Sequence, residues 1–169
     1  VESFEAPPPG LLALRYRWNR GGDFVLLFQT LRAVFQRWPD LESLFAEHYR
    51  PQHPTIKQAL DGAVSTMGRL ALETPAARAA CMRAPSDLPR GFRYFLSAPG
   101  RGSACKRWNM YLRWVVRPAD GVDLGLWRAL PPSALVIPLD THVSRIARFL
   151  GLTARKDGSW KTAEQVTAS

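Results

Sequence analysis

The chain has 169 residues, with 23 Lys and Arg against 14 Asp and Glu, a formal charge of +9. That length suits one domain able to bury a core without disulfides, and 46% hydrophobic with 22% charged residues excludes a disordered chain. Two cysteines, Cys81 and Cys105, are too few for a disulfide framework, a four-cysteine zinc site or a four-cysteine iron–sulfur site. No apolar run approaches the roughly 20 residues of a membrane span, and no signal peptide opens the sequence. The expectation is a cytoplasmic, membrane-free monomer with no metal or cofactor.

Residues 1–14, with Pro7, Pro8, Pro9 and Gly10, read as a loop or linker. Residues 15–169 read as one helical domain. Asp23 is a candidate N-cap for a helix whose inward stripe is Phe24, Leu27, Phe28, Leu31, Val34, Phe35 and Trp38. A short helix follows over about 39–49. Another starts near Thr55 with Ile56, Leu60, Val64 and Met67 on one face. Prolines and glycines punctuate residues 74–102, leaving short helical pieces, one of them around Phe92 to Leu96.

The turn Pro99-Gly100-Arg101-Gly102 leads to Ser103, a candidate N-cap for a helix to about Arg117. Its inward stripe is Trp108, Tyr111, Leu112 and Val115, with Lys106, Asn109, Arg113 and Arg117 on the opposite side. A loop over 118–139 precedes a helix from Thr141 to Leu150, with Val143, Ile146, Ala147 and Leu150 inward and Gly151 closing it. Period-2 alternation is not sustained anywhere, so the fold class is all-α. The chain begins at Val1 rather than Met and ends inside what reads as a continuing helix, so a domain truncated at both ends is expected.

The charge is concentrated. Residues 1–82 carry a net +1 and residues 118–169 another +1, whereas residues 83–117 carry eight basic side chains and one acidic, Asp87. Such a segment attracts polyanions, nucleic acid first among them. A solvated arginine-rich face is the plainer alternative. Two residues stand out near it. Lys106 lies in the first turn of a helix among arginines, surroundings that disfavour its charged form, and a neutral lysine amine can form a Schiff base. An ordinary surface or phosphate-contacting lysine is the alternative. Asp140 stands at the start of the last helix, where an N-cap role already accounts for it and a site-facing carboxylate is the further reading.

The segment Pro138-Leu139-Asp140-Thr141-His142-Val143, continued by Arg145, Ala147-Arg148 and Leu150-Gly151-Leu152, resembles the segment bearing the catalytic aspartate in the helix-hairpin-helix DNA glycosylase superfamily. The wider pattern is similar to an uncharacterised bacterial family of conserved hypothetical proteins with a domain of unknown function. It comprises Ser103 to Asn109, Leu112-Arg113-Trp114, Arg117, Asp123 to Trp127, and Ile137 to Val143. The likeness runs from about Tyr16 to Thr167, and members of that family are longer at both ends. It implies a helix-hairpin-helix glycosylase-like fold, with Asp140 at the position of the catalytic aspartate and Lys106 as the candidate Schiff-base lysine.

Two departures stand beside it. Lys106 and Asp140 are 34 positions apart, about twice the familiar separation and nearest to that of archaeal 8-oxoguanine DNA glycosylases. The hairpin signature is reduced to Gly100-Arg101-Gly102-Ser103-Ala104.

The expected function is excision of a damaged base such as 8-oxoguanine, with or without strand-cleaving lyase activity. The alternative is a non-catalytic nucleic-acid-binding protein on the same fold. A helical interaction domain that binds no nucleic acid is the third reading. Gly100, Arg101, Gly102, Ser103, Arg107 and Arg113 are the candidate DNA contacts, the turn offering backbone amides to a phosphate. Trp108, Asn109, Trp127 and His142 are candidates for a base pocket. The partner is DNA, with RNA left open.

Overall fold

The computed structural model describes residues 7–169. They form a mostly helical chain: α1 (Pro9–Ala13), α2 (Gly21–Phe35), α3 (Leu41–His48), α4 (Lys57–Leu72), α5 (Pro75–Ala79), α6 (Arg90–Phe95), α7 (Lys106–Val116), α8 (Thr141–Phe149) and α9 (Trp160–Ala168). Short 3₁₀ turns lie at Pro85–Asp87, Pro99–Arg101 and Pro132–Ala134. Two two-residue strands, β1 (Arg15–Tyr16) and β2 (Asn19–Arg20), pair antiparallel, Arg15 opposite Arg20 and Tyr16 opposite Asn19. Residue contacts gather into two compact units, and α3 and α4 each run from one into the other.

The first unit holds the described residues to Leu44 together with Ala63–Leu96. The proline-rich opening, read as a linker, contains α1, since Pro at the first helical position needs no hydrogen-bonded N–H. α1 lies against α2. Gly21 permits this approach, because a Cβ there would overlap the Leu11 and Leu12 carbonyls.

α2 begins at Gly21 rather than after Asp23. Asp23 sits at the third helical position, and its carboxylate reaches back to accept the Arg20 N–H at 2.7 Å. The buried side of α2 is Val25, Leu26, Gln29, Thr30 and Val34, so the inward face is turned from the predicted stripe. Phe35 is exposed, and Phe24, Leu27, Phe28 and Leu31 are half-buried. α2 is apolar over most of its circumference, and periodicity cannot choose a side there. Thr30 donates to the Leu26 carbonyl and Gln29 accepts the Ala76 N–H, so both buried polar groups are satisfied. α6 closes the unit, with Phe95 against Phe24 and Phe92 buried.

The second unit holds Phe45–Gly62 and Ser97–Ser169. Phe45 is fully buried between Trp108 and Trp127, and Tyr111 packs edge-on to both tryptophans. Leu112, Val115 and Val116 of α7 complete that side of the core. The loop after α7 is strapped to its end, Leu124 N–H donating to the Trp114 carbonyl and Trp127 N–H to that of Val115. Gly125 is required there: its φ is +59° and a Cβ would lie 2.8 Å from the Ala119 nitrogen.

α8 ends as predicted at Gly151, φ +74°, with Gly151 N–H bonded to the Arg148 carbonyl and Leu152 N–H to that of Ala147. Its inward residues are Ser144 and Ala147, with Val143 half-buried. Ile146 and Leu150, predicted inward, are exposed, and Phe149 is 90% exposed.

Candidate active site

Lys106 opens α7 and Asp140 caps α8, both within the second unit. The approach to α7 is tightly held. In the turn before it, Gly100 N–H donates to Asp61 at 2.7 Å, Arg101 N–H to the Ala98 carbonyl and Gly102 N–H to that of Pro99. Gly102 adopts φ +78°, and its carbonyl accepts the Trp160 N–H, while Ser103 bridges to Ser159. Cys105 then takes a left-handed conformation, φ 49°, and serves as the N-cap of α7.

Ser103 therefore does not cap the helix. Its hydroxyl accepts the N–H of Cys105, two residues on and just ahead of the first helical turn, at 3.2 Å. Burial pushes the Cys105 thiol up, and it donates to the Ser103 carbonyl at 3.3 Å, which makes it a packing group rather than a nucleophile.

Lys106 Nζ lies 2.8 Å from Asp140 Oδ2, with the two side chains 47% and 27% exposed. The other carboxylate oxygen, Oδ1, accepts the Val143 N–H at 2.8 Å. The Lys106 hydrogen bond, then the Val143 N–H, hold the Asp140 carboxyl at about 2, against partial desolvation that works the other way. Asp140 is thus a fixed anion at neutral pH. The neighbour that Lys106 meets is this anion, which the arginine-rich sequence context did not indicate.

The other candidates divide. His142 is exposed on the first turn of α8, adjacent to Asp140 in the chain. Arg101 and Arg107 are exposed, as a polyanion contact requires. The three turn amides are not on offer to a phosphate, because each already has an internal acceptor and one of those is the Asp61 carboxylate. Arg113 is engaged by Asp123, whose side chain is fully buried and also pairs with Arg117, both at 3.3 Å.

Trp108 and Trp127 belong to the aromatic core around Phe45 instead of lining a base pocket. Asn109, expected on the polar side of α7, is 2% exposed. Its Nδ2 donates to the Ala104 carbonyl, and its Oδ1 is buried without a hydrogen-bond partner. Its side chain folds back over the helix start, satisfying an acceptor that the left-handed turn leaves there.

Asp61 has no place in the sequence reading, and Asp123 enters it only as part of the family pattern, not as a partner for arginine. Asp61 sits mid-helix in α4, 39 positions from the glycine it binds, with no local signal. Asp123 had one: Arg113 and Arg117 are spaced by one helical turn and call for a shared anion.

Among the described residues no three His, Cys, Asp or Glu side chains gather as a metal site would need, and no helix is long and apolar enough to cross a membrane. The model of the family DUF2400, described as a protein of unknown function, matches residues 4–169. The chain belongs to the DUF2400 family. Comparisons with curated proteins and with solved structures return no match. Membership in DUF2400 agrees with the likeness to an uncharacterised family seen in the residues. It carries no activity with it, and the helix-hairpin-helix likeness rests on the sequence pattern around Asp140 alone.

Proposed function

We propose that this DUF2400 chain is a base-excision enzyme of the DNA glycosylase type, with Lys106 as nucleophile and Asp140 as its electrostatic partner. The observation that carries the reading is the 2.8 Å approach of Lys106 Nζ to Asp140 Oδ2 across 34 positions of sequence, each residue at the start of its own helix. A base leaves the sugar only once it is unstacked, and its departure develops positive charge at C1′. A carboxylate held at about 2 is ionised and only weakly basic near neutrality, which suits it to stabilising that cation.

Attack requires Lys106 to give up its proton first, and its partly exposed ammonium can pass it to solvent. The amine lone pair then forms the bond to C1′. The glycosidic bonding pair leaves with the base, which takes up a proton. Ring opening and loss of the second amine proton give the Schiff base, and removal of a 2′ proton expels the 3′ phosphate.

The test is a panel of lesion-bearing duplexes, 8-oxoguanine among them, with borohydride present to reduce the imine. A covalent protein–DNA product is expected from the wild type and none from Lys106→Gln. Asp140→Asn should slow base release by about 10²–10³-fold, the scale of losing one charge-stabilising group. Strand cleavage by Lys106→Gln would remove the lysine from its role, and unchanged base release by Asp140→Asn would sink the glycosylase reading.

The same ion pair also favours a second reading. Lys106 and Asp140 satisfy each other, and Asp140 caps α8, as they would in a nucleic-acid-binding protein without chemistry. DNA binding with no product on any lesion would select it.

A further inference from the structure

In the first unit the hairpin formed by β1, a two-residue turn and β2 reads Arg15-Tyr16-Arg17-Trp18-Asn19-Arg20, three guanidinium groups interleaved with two aromatic rings and no acidic residue. Asn19 anchors it: its side chain is buried, and its Nδ2 donates to the Gly91 carbonyl at 2.7 Å. Residues directly opposite in an antiparallel pair share a face, so Arg15 and Arg20 lie together on the side turned away from Asn19. Both are exposed, as is Arg17 at the turn. Trp18 is 74% exposed and Tyr16 60%.

None of this favours the folded chain. Like charges directly opposite each other destabilise a strand pair. Arg17 takes φ 55°, a left-handed conformation that glycine adopts at no steric cost and arginine does not. A tryptophan left in solvent gains little from the hydrophobic effect. Among the described residues no carboxylate pairs with any of the three guanidinium groups. Asp23, the nearest acidic residue in sequence, is buried and accepts the Arg20 N–H. An anion held between Arg15 and Arg20 would supply the missing compensation.

The rings indicate which anion. An aromatic face stacks on an unpaired base, and guanidinium groups beside it meet the phosphates on either side of that base. The Arg17 guanidinium already lies 5.9 Å from the Tyr16 ring centroid, a cation over the ring that extends such a stack. A lipid surface calls for a continuous apolar face, which the arginines interrupt here. We propose that this hairpin is a binding site for single-stranded nucleic acid, with Trp18 as the stacking platform and Arg15 and Arg20 as the phosphate contacts. The proposal stands on the hairpin's own residues and not on the Lys106–Asp140 chemistry.

The test is fluorescence anisotropy of a labelled oligothymidylate of about 20 nucleotides, and of a duplex of equal length, titrated with the full chain at several salt concentrations. Saturable binding of the single strand, tighter than that of the duplex, is expected. Trp18→Ala should weaken it about tenfold, and Trp18→Phe should retain most of the affinity. Arg15→Gln with Arg20→Gln should lower the salt slope by about 1.4, the single-strand value for two phosphates. Thermal unfolding confirms that each variant is folded, and Arg15→Gln should leave the midpoint unchanged or raise it, because it removes one of two opposed cations. A duplex bound as tightly as the single strand, variants that bind as wild type does, or binding only to phosphatidylcholine–phosphatidylserine vesicles would overturn the proposal. Borohydride trapping on a lesion duplex reads Lys106 and oligothymidylate anisotropy reads the hairpin, so each claim can fail without the other.

Discussion

The Asp140 carboxylate accepts the Val143 N–H and faces the Lys106 ammonium, and both contacts favour its ionised form. Its folded value of about 2 lies below the ordinary 3.8, so its contribution to stability is fully present above about pH 4 and is lost as pH falls through about 2. Asp40, Asp87 and Asp120 are held low by hydrogen bonds as well, so the acid limb of unfolding is shared. The difference between wild type and Asp140→Asn isolates one member. Asparagine keeps a capping oxygen but cannot titrate, so the stability gap between the two proteins should narrow from pH 5 to pH 2 in tryptophan-monitored denaturation. A constant gap would mean that Asp140 is not paired in solution. The cap was legible from the residue and its place before Thr141-His142-Val143. Its partner was not, because contact across 34 positions leaves no local trace.

At the scale of elements, most helices were readable, but the orientation of α2 and α8 was not. Ile56, Leu60, Val64 and Met67 are buried as their spacing predicts, since α4 has one clear apolar stripe. α8 offered Val143, Ile146, Ala147 and Leu150 at helical spacing, yet burial follows Ser144 and Ala147. The stripe could be seen, but which of its edges meets the core depends on what packs there.

Substitution distinguishes the two faces. Ile146→Ala and Phe149→Ser should each change unfolding free energy by less than about 1 kcal/mol, whereas Phe45→Ala, opening the aromatic core between Trp108 and Trp127, should cost about 3–5 kcal/mol. Urea denaturation measures both, and a large loss at Ile146 would restore the orientation that periodicity suggested. The starts of α2 and α7 shifted as well. Gly21 lies against the Leu11 and Leu12 carbonyls and Cys105 adopts a left-handed conformation, and the helices start at these places instead of after Asp23 and Ser103.

For the whole molecule, the +9 is distributed differently from the way the linear tally suggests. Of the basic residues in 83–117, Arg83, Arg90 and Arg93 belong to the first unit, while Arg101, Lys106, Arg107, Arg113 and Arg117 belong to the second. In the second unit Lys106, Arg113 and Arg117 are met by Asp140 and Asp123. If the chain binds DNA, affinity should fall steeply with salt, and Arg101→Gln with Arg107→Gln should reduce the slope by about two. Arg113→Gln should instead lower thermal stability, because it removes one of the two cations paired with the buried Asp123. An unchanged slope in the Arg101/Arg107 variant would take those residues out of the interface.

By itself the sequence determined the helical class, the proline and glycine punctuation, the Gly151 stop, the Asp140 cap and the net charge. Each follows from backbone stereochemistry or composition acting over a few residues. Tertiary structure alone decided that Lys106 meets Asp140, that Asp123 gathers Arg113 and Arg117, and that Asp61 occupies a turn amide otherwise available to phosphate. It also placed Trp108, Trp127 and Asn109 in the interior. Charge and aromatic character are visible residue by residue, but whether a group faces solvent, a ligand or an internal partner depends on chain segments far away in sequence. The initial excess of positive charge therefore bounded the partners, and the pairing of those charges decides which of them remain to bind one.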